Sequence, residues 1–261
     1  MSRLLIYANV GFFCDGYILS SIGLALVTLG PRFAMSPAMT GLIGAATLFG
    51  ILVGAPLFGH FTDRFGRRGL MNADLCVFVV ASLAQLFVAN AWELVALRFI
   101  LGVAIGADYP IAGALTAESV PAKHRGAAIN SMQAFWFLGA AIAYVAGFWF
   151  LRFGSESWKW ILASPALFAF VGVLMRASAP ESPMWLKARD AGELTRSSFA
   201  LMFAPAYRGS LIFVSAMWLL QVVPLFAIYT FAPMVLKALG LSDSSSPAGS
   251  VAITAAFFAG S

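Results

Sequence analysis

Runs of about 20 or more apolar residues follow one another along this 261-residue chain, separated by short polar stretches. Each run can cross ~30 Å of hydrocarbon as a helix. A membrane barrel would need short strands of alternating hydrophobicity instead, and the pattern contains none. Composition agrees. The chain is 61% hydrophobic and 10% charged, whereas a soluble domain carries about 25% charged residues. A monomer with so little polar surface could not stay in solution. The sequence therefore predicts an all-α transmembrane protein embedded in a lipid bilayer.

Spanning helices are expected near residues 4–29, 38–60, 69–90, 92–116, 127–151, 158–176, 209–237 and 248–261. The first is no cleavable leader: it exceeds the h-region of about 7–15 residues and carries Asp15 in its middle. Three units follow. Residues 1–176 form a six-helix bundle. Residues 177–208 form a polar cytoplasmic linker with a short interfacial helix. Residues 209–261 begin a second bundle. The last stretch, Ala248–Ser261, gives only ~21 Å of helix at 1.5 Å per residue. The second half is accordingly read as truncated partway through helix eight, with the rest expected in the complete protein.

Charge sets the orientation. With the N-terminus inside, eleven Lys and Arg residues fall on the cytoplasmic side and four outside, with Arg98 inside a span. This predicts a multi-pass protein of the inner or plasma membrane. The net charge of +5 does not indicate nucleic acid, because the basic residues lie between spans and not in one patch. Cys14 and Cys76 fall in apolar runs and act as small hydrophobes. No metal-ligand spacing, Gly-x-Gly-x-x-Gly, Walker loop, Gly-x-Ser-x-Gly or His-Glu-x-x-His occurs, so no enzyme and no cofactor is expected.

The densest polar cluster is Gly59-His-Phe-Thr-Asp63-Arg64-Phe-Gly66-Arg67-Arg68. Gly59 and Gly66 permit tight turns, Asp63 can pair with an arginine or accept from a helix N-terminus, and the arginines anchor one membrane face. The order Gly-x-x-x-Asp-Arg-x-Gly-Arg-Arg resembles the loop between helices two and three of major facilitator superfamily transporters. The fourth span reads Arg98-x-x-x-Gly102-x-x-x-Gly106-x-x-x-Pro110, one stripe of a helix, whose glycines allow close helix approach. Glu118, with Arg125-Gly126 seven residues on, resembles the Glu-(six residues)-Arg-Gly of sugar porters. Pro180-Glu181-Ser182-Pro183-Met184-Trp185 resembles their Pro-Glu-Ser-Pro-Arg-Trp, with Met184 in place of the arginine. The resemblance implies a six-plus-six fold that binds substrate near the midplane. It also implies an inner-face network of Asp63, Arg67, Arg68, Glu118, Arg125 and Glu181 that latches the outward-facing state. Simple positive-inside topology is the plainer alternative for such a loop.

Charges inside a span are functional or paired, since each costs about 2.5–3.5 kcal/mol on insertion scales. Asp15, Arg98 and Asp108 qualify. An Asp15–Arg98 contact is expected, either as a proton-coupling switch or as a static pair that fixes packing. Helix one reads Asp15-Gly16-Tyr17-Ile18, where proton-coupled aromatic-acid and metabolite symporters of the superfamily often have a second acid at the last position. A passive uniporter thus stays open beside a proton-coupled one, as does a truncated non-transporting membrane protein.

Gly106-Ala107-Asp108-Tyr109-Pro110 resembles the helix-four motif of phosphate:proton symporters, whose tyrosine contacts substrate. Trp136, Val222 and Phe226 stand at that subgroup's other polar positions, which implies a different cargo: a small organic metabolite with an apolar or aromatic portion (a sugar, or an organic or aromatic acid). Tyr109, Gln133, Trp136, Tyr144, Trp218 and Gln221 are the candidate cavity residues, because aromatic walls with a few amides suit such a ligand. Helix packing or an interfacial belt would also place aromatic residues there.

Overall fold

A computed structural model of the protein describes residues 3–192 and 203–238. These form helices α1 (Arg3–Arg32), α2 (Pro37–Phe65), α3 (Arg67–Ala84), α4 (Ala91–Ser119), α5 (Arg125–Phe150), α6 (Ser157–Ala163), α7 (Pro165–Arg176), α8 (Pro183–Asp190) and α9 (Pro205–Ala238). Among the described residues there is no strand. α8 stands where a short helix was expected in the linker. The eighth span lies outside the described residues.

Local chemistry sets the helix ends. Ser36 caps α2: its side chain accepts from Met39 N, and Pro37 follows at the first helical position. Asn90 and Glu93 form a reciprocal cap on α4, Asn90 Oδ1 accepting from Glu93 N and Glu93 Oε2 from Ala89 N. The sixth span is not one helix but two. α6 stops at Ala163 and α7 starts at Pro165, which has no N–H to continue the ladder. Tyr17 holds this break through a 2.8 Å hydrogen bond to Ser164 Oγ.

The helices pack in pairs: α1 on α5, α2 on α4, and α3 on α7. The α2–α4 pair is closest. A methyl at Gly102 would strike Thr47 O, and one at Gly106 would strike Ile51 O. Reciprocally, Gly50 lies on Phe99 O and Gly54 on Val103 O. Small residues let the backbones meet where lipid offers no hydrophobic drive for association. The stripe read along α4 is therefore a packing face, completed by α2 glycines that the sequence reading did not single out.

The core of the bundle centres on α1, which carries buried Cys14, Ile18, Ile22, Leu26 and Leu29. The outer surface is apolar: Leu52, Val80, Phe87, Phe213 and Leu220 are all more than 60% exposed. A surface of that kind needs hydrocarbon as its solvent. Cys76 is on this outer face, whereas Cys14 is buried.

Candidate functional site

At one end of the bundle, Arg67 is the hub of a polar network. Its Nη2 donates to Asp63 Oδ1 at 3.1 Å and to Glu118 Oε1 at 2.8 Å, and its Nη1 donates to Thr62 O at 2.9 Å. Glu118 also accepts from Ser182 Oγ. Glu181 caps α3: its carboxylate accepts from Arg67 N at 2.9 Å and Arg68 N at 3.2 Å. An anion at a helix N-terminus is favoured by the free N–H groups and the macrodipole. That acceptor role was considered for Asp63, and Glu181 fills it. Trp185 Nε1 donates to Asp63 O. Together these contacts tie α2, α3, α4 and α8.

Gly66 makes the corner possible, at φ 93° and ψ 169°. That region is essentially glycine-only, and a Cβ there would press on the Glu181 carboxylate. Other members of the expected latch sit elsewhere. Arg125 donates to Val120 O in its own turn, with no ion pair to Glu118. Arg64 is exposed and lies over the Phe65 ring. Arg68 donates to Ala177 O. Gly59 faces Pro110 across the α2–α4 contact. Exposed Met184 occupies the arginine position of the motif.

About 7.5 Å along α4 from Glu118, at 1.5 Å per residue, a cavity opens between α1, α4, α5 and α9. It measures about 620 Å³ and is lined by Phe12, Tyr109, Gln133, Trp136, Trp218 and Gln221, with apolar residues between them. Five of the six cavity residues expected from sequence therefore share one space. Phe12 and Tyr109 meet edge to face at 5.2 Å, as do Trp136 and Phe226 at 5.8 Å. Tyr144 is the exception. It is wholly buried in the core and is not among the residues lining the cavity. Its place two turns beyond Trp136 put it on a plausible stripe, but the crossing of α1 over α5 covers it. Gly16 and Gly139 bring those two helices into backbone contact.

The charges inside the bundle are arranged differently from expectation. Arg98 does not meet Asp15. Its Nε donates to Thr47 Oγ1 at 3.0 Å, and both Nη atoms donate to Ile18 O at 3.2 Å. Position 18, where the related motif has a second acid, thus serves Arg98 through its backbone carbonyl. Asp15 is fully buried, and neither carboxylate oxygen has a hydrogen-bond partner among the described residues.

Asp108 meets Arg176 instead. Arg176 Nη2 lies 3.3 Å from Asp108 Oδ1, and Nη1 lies 3.3 Å from Asp74 Oδ1. All three side chains are within 1% of complete burial. Sequence reasoning assigned Arg176 to the cytoplasmic linker side, because it falls at the last residue of an apolar run. It lies inside the bundle, which lowers the inside count of basic residues to ten against four outside. Asp74 was overlooked, although an acid five residues into a predicted span was signal enough to find it.

The family model of the Major Facilitator Superfamily matches residues 8–261. The chain is 35% identical over 279 aligned positions to the Putative metabolite transport protein YaaU of Escherichia coli (strain K12), covering 99% of this chain and 63% of that protein. It is 34% identical to the Niacin transporter NiaP of Acinetobacter baylyi, over 52% of this chain and 31% of that protein. In three dimensions it resembles a crystal structure of a D-xylose-proton symporter, with a TM-score of 0.80 at 22% identity, over 98% of this chain and 66% of the other. The chain thus spans under two thirds of the length of these curated relatives.

The bundle thus joins an apolar exterior, an aromatic cavity and an ion-paired rim. The chain belongs to the Major Facilitator Superfamily, a multi-pass membrane protein whose relatives and fold are those of transporters and not of enzymes.

Proposed function

We propose that this chain serves secondary active transport of a small organic metabolite by alternating access, coupled to protons through its buried acids, with its N-terminus in the cytoplasm. The observation that carries the reading is the joining of cavity and charge. Phe12 and Tyr109 line the cavity, while the adjacent Gly11 and Asp108 lie against Arg176. A ligand that moves the cavity wall must move the charge cluster, because the same turns of α1 and α4 carry both.

Tyr109, Gln133, Trp136, Trp218 and Gln221 would contact substrate. Their aromatic faces and two amides fit a sugar or a flat organic acid, in keeping with relatives named for niacin and D-xylose. Asp15 and Asp108 would carry the coupling, with Arg98 holding α1, α2 and α4 in register. The Arg67 hub would close the cytoplasmic end while the outer end is open, and its ion pairs would part when that end opens.

The test is uptake of radiolabelled niacin and D-xylose by vesicles containing the protein, with and without an inward proton gradient. Accumulation that follows the gradient and is lost in Asp15→Asn, while substrate exchange persists, is expected. Accumulation unchanged by the substitution would defeat the coupling role of Asp15. Flux that equilibrates whatever the gradient would make the protein a uniporter.

A further inference from the structure

The buried cluster carries more carboxylates than its cation can balance. Asp74 Oδ1 and Asp108 Oδ1 each lie 3.3 Å from a different Nη of Arg176, so the two carboxyl groups converge on one guanidinium. Asp15 lies one turn along α1 from Gly11, which abuts Asp108 and Arg176. Asp74 Oδ2, Asp108 Oδ2 and both oxygens of Asp15 are buried without a hydrogen-bond partner among the described residues. The titratable groups around this space are Cys14 and Asp15 from α1, Asp74 from α3, Asp108 and Tyr109 from α4, and Arg176 from α7, while Tyr7 contributes its backbone carbonyl and turns its hydroxyl to Ser178. A guanidinium cannot lose its charge in a protein, so ionisation of both Asp74 and Asp108 would leave one uncompensated negative charge in low dielectric, and ionisation of Asp15 a second, which is costly.

The geometry of Arg176 bears on how that excess is resolved. Its shortest bonds are to neutral backbone carbonyls, 2.8 Å from Nε to Tyr7 O and 2.7 Å from Nη1 to Met71 O. Its contacts to the two carboxylates are both 3.3 Å, longer than the 2.7–2.9 Å common for a charge-assisted pair. The carbonyls therefore fix the guanidinium whether or not each aspartate is charged. A metal ion is disfavoured beside a permanent cation, whereas a proton binds one carboxylate covalently and needs no coordination shell.

We propose that Asp74, Asp108 and Arg176 form a buried proton-binding site, in which the two carboxyl groups share one proton opposite the guanidinium. A hydronium ion passes its proton to one of the two unpartnered oxygens and leaves as water, one O–H bond breaking as the other forms, and the new O–H donates to the second carboxylate. The site then balances as one carboxylate against one guanidinium. Gly11 seals it from the α1 side, since a methyl there would overlap both Asp108 Oδ2 and Arg176 Nη2. The use of this proton in transport rests on the coupling proposed above; its presence does not.

Infrared difference spectroscopy of the purified full chain tests the site directly. The wild type is expected to show a protonated-carboxyl C=O band at neutral pH that shifts when aspartate is carboxyl-labelled. Asp74→Asn and Asp108→Asn should each remove the same component of that band, and this component should survive in Asp15→Asn. The labelling experiment needs no variant, so it can overturn the proposal even if a substitution prevents folding. Absence of an aspartate band in the wild type overturns the proposal. Loss of the band only in Asp15→Asn also overturns it, placing the proton on Asp15. A band with the expected assignment, alongside uptake indifferent to a proton gradient, would establish the site and refute the coupling.

Discussion

Arg67 and Arg176 each stand between two carboxylates, yet their surroundings differ. Arg67 pairs with Asp63 and Glu118 at 3.1 and 2.8 Å, and those acids are 46% and 17% exposed. Arg176 pairs with Asp74 and Asp108 at 3.3 Å, with no side chain more than 1% exposed. The first group meets bulk solvent through its acids, so its pairs can break and re-form at small cost. The second is closed off from solvent, where an unbalanced charge is costly. One motif, an arginine bridging two acids, is therefore suited to a mechanical clasp at the rim and to proton binding in the interior.

The largest effect should come from removing the interior cation. Arg176→Met strands Asp74 and Asp108 together, and losing one partner of a buried pair costs about 3–5 kcal/mol. A marked fall in thermal unfolding temperature in detergent is expected, with partial recovery in the Arg176→Met/Asp108→Asn double variant. A double variant no more stable than the single one would break the account of the cluster. Next is Gly66→Ala, which forces alanine into a glycine-only region at about 1–3 kcal/mol and pushes on Glu181. Loosening of the α8 contact, read as faster proteolysis of the linker, should accompany the loss of stability.

Glu118→Gln should cost less in stability, about 0.5–1.5 kcal/mol for a hydrogen-bonded group near water. It should mainly shift the balance of access states, seen as greater labelling of a cysteine placed at Thr116. Asp63→Asn should do the same more weakly, because Asp63 is the more exposed partner. The smallest effect belongs to Arg125→Ala. That side chain bonds only its own turn among the described contacts, so a change within ±0.5 kcal/mol is expected, as at an ordinary surface site. A large effect would restore Arg125 to the latch.

The rim was readable in the sequence and the interior was not, for a physical reason. In the rim network, Asp63, Gly66, Arg67 and Arg68 lie within one turn and its corner, so spacing alone brings them together, whereas Glu118 and Glu181, 51 and 114 positions from Arg67, were added through the motifs that resemble those of sugar porters. The first seven spans followed from the length of the apolar runs, with the sixth broken at Ser164, and the five cavity residues from the polar and aromatic positions within those spans and the helix-four resemblance. The interior cluster joins α1, α3, α4 and α7 through residues up to 169 positions apart, and only the packing of helices decides which acid meets which arginine. Sequence reasoning paired Asp15 with Arg98 because both sit inside spans. Packing gave Arg98 the carbonyl of Ile18 and gave Asp108 to Arg176. Tyr144 failed similarly: the helical stripe was right, but the close crossing of α1 on α5 buried it.

The most direct test puts both regions in one assay. Niacin and D-xylose uptake would be followed in vesicles carrying wild type, Asp108→Asn or Glu118→Gln, with and without a proton gradient. The account predicts that Asp108→Asn retains exchange but loses gradient-driven accumulation, whereas Glu118→Gln still accumulates substrate at an altered rate. Gradient-driven accumulation surviving in Asp108→Asn and vanishing in Glu118→Gln would contradict it, placing the coupling at the rim and not in the interior.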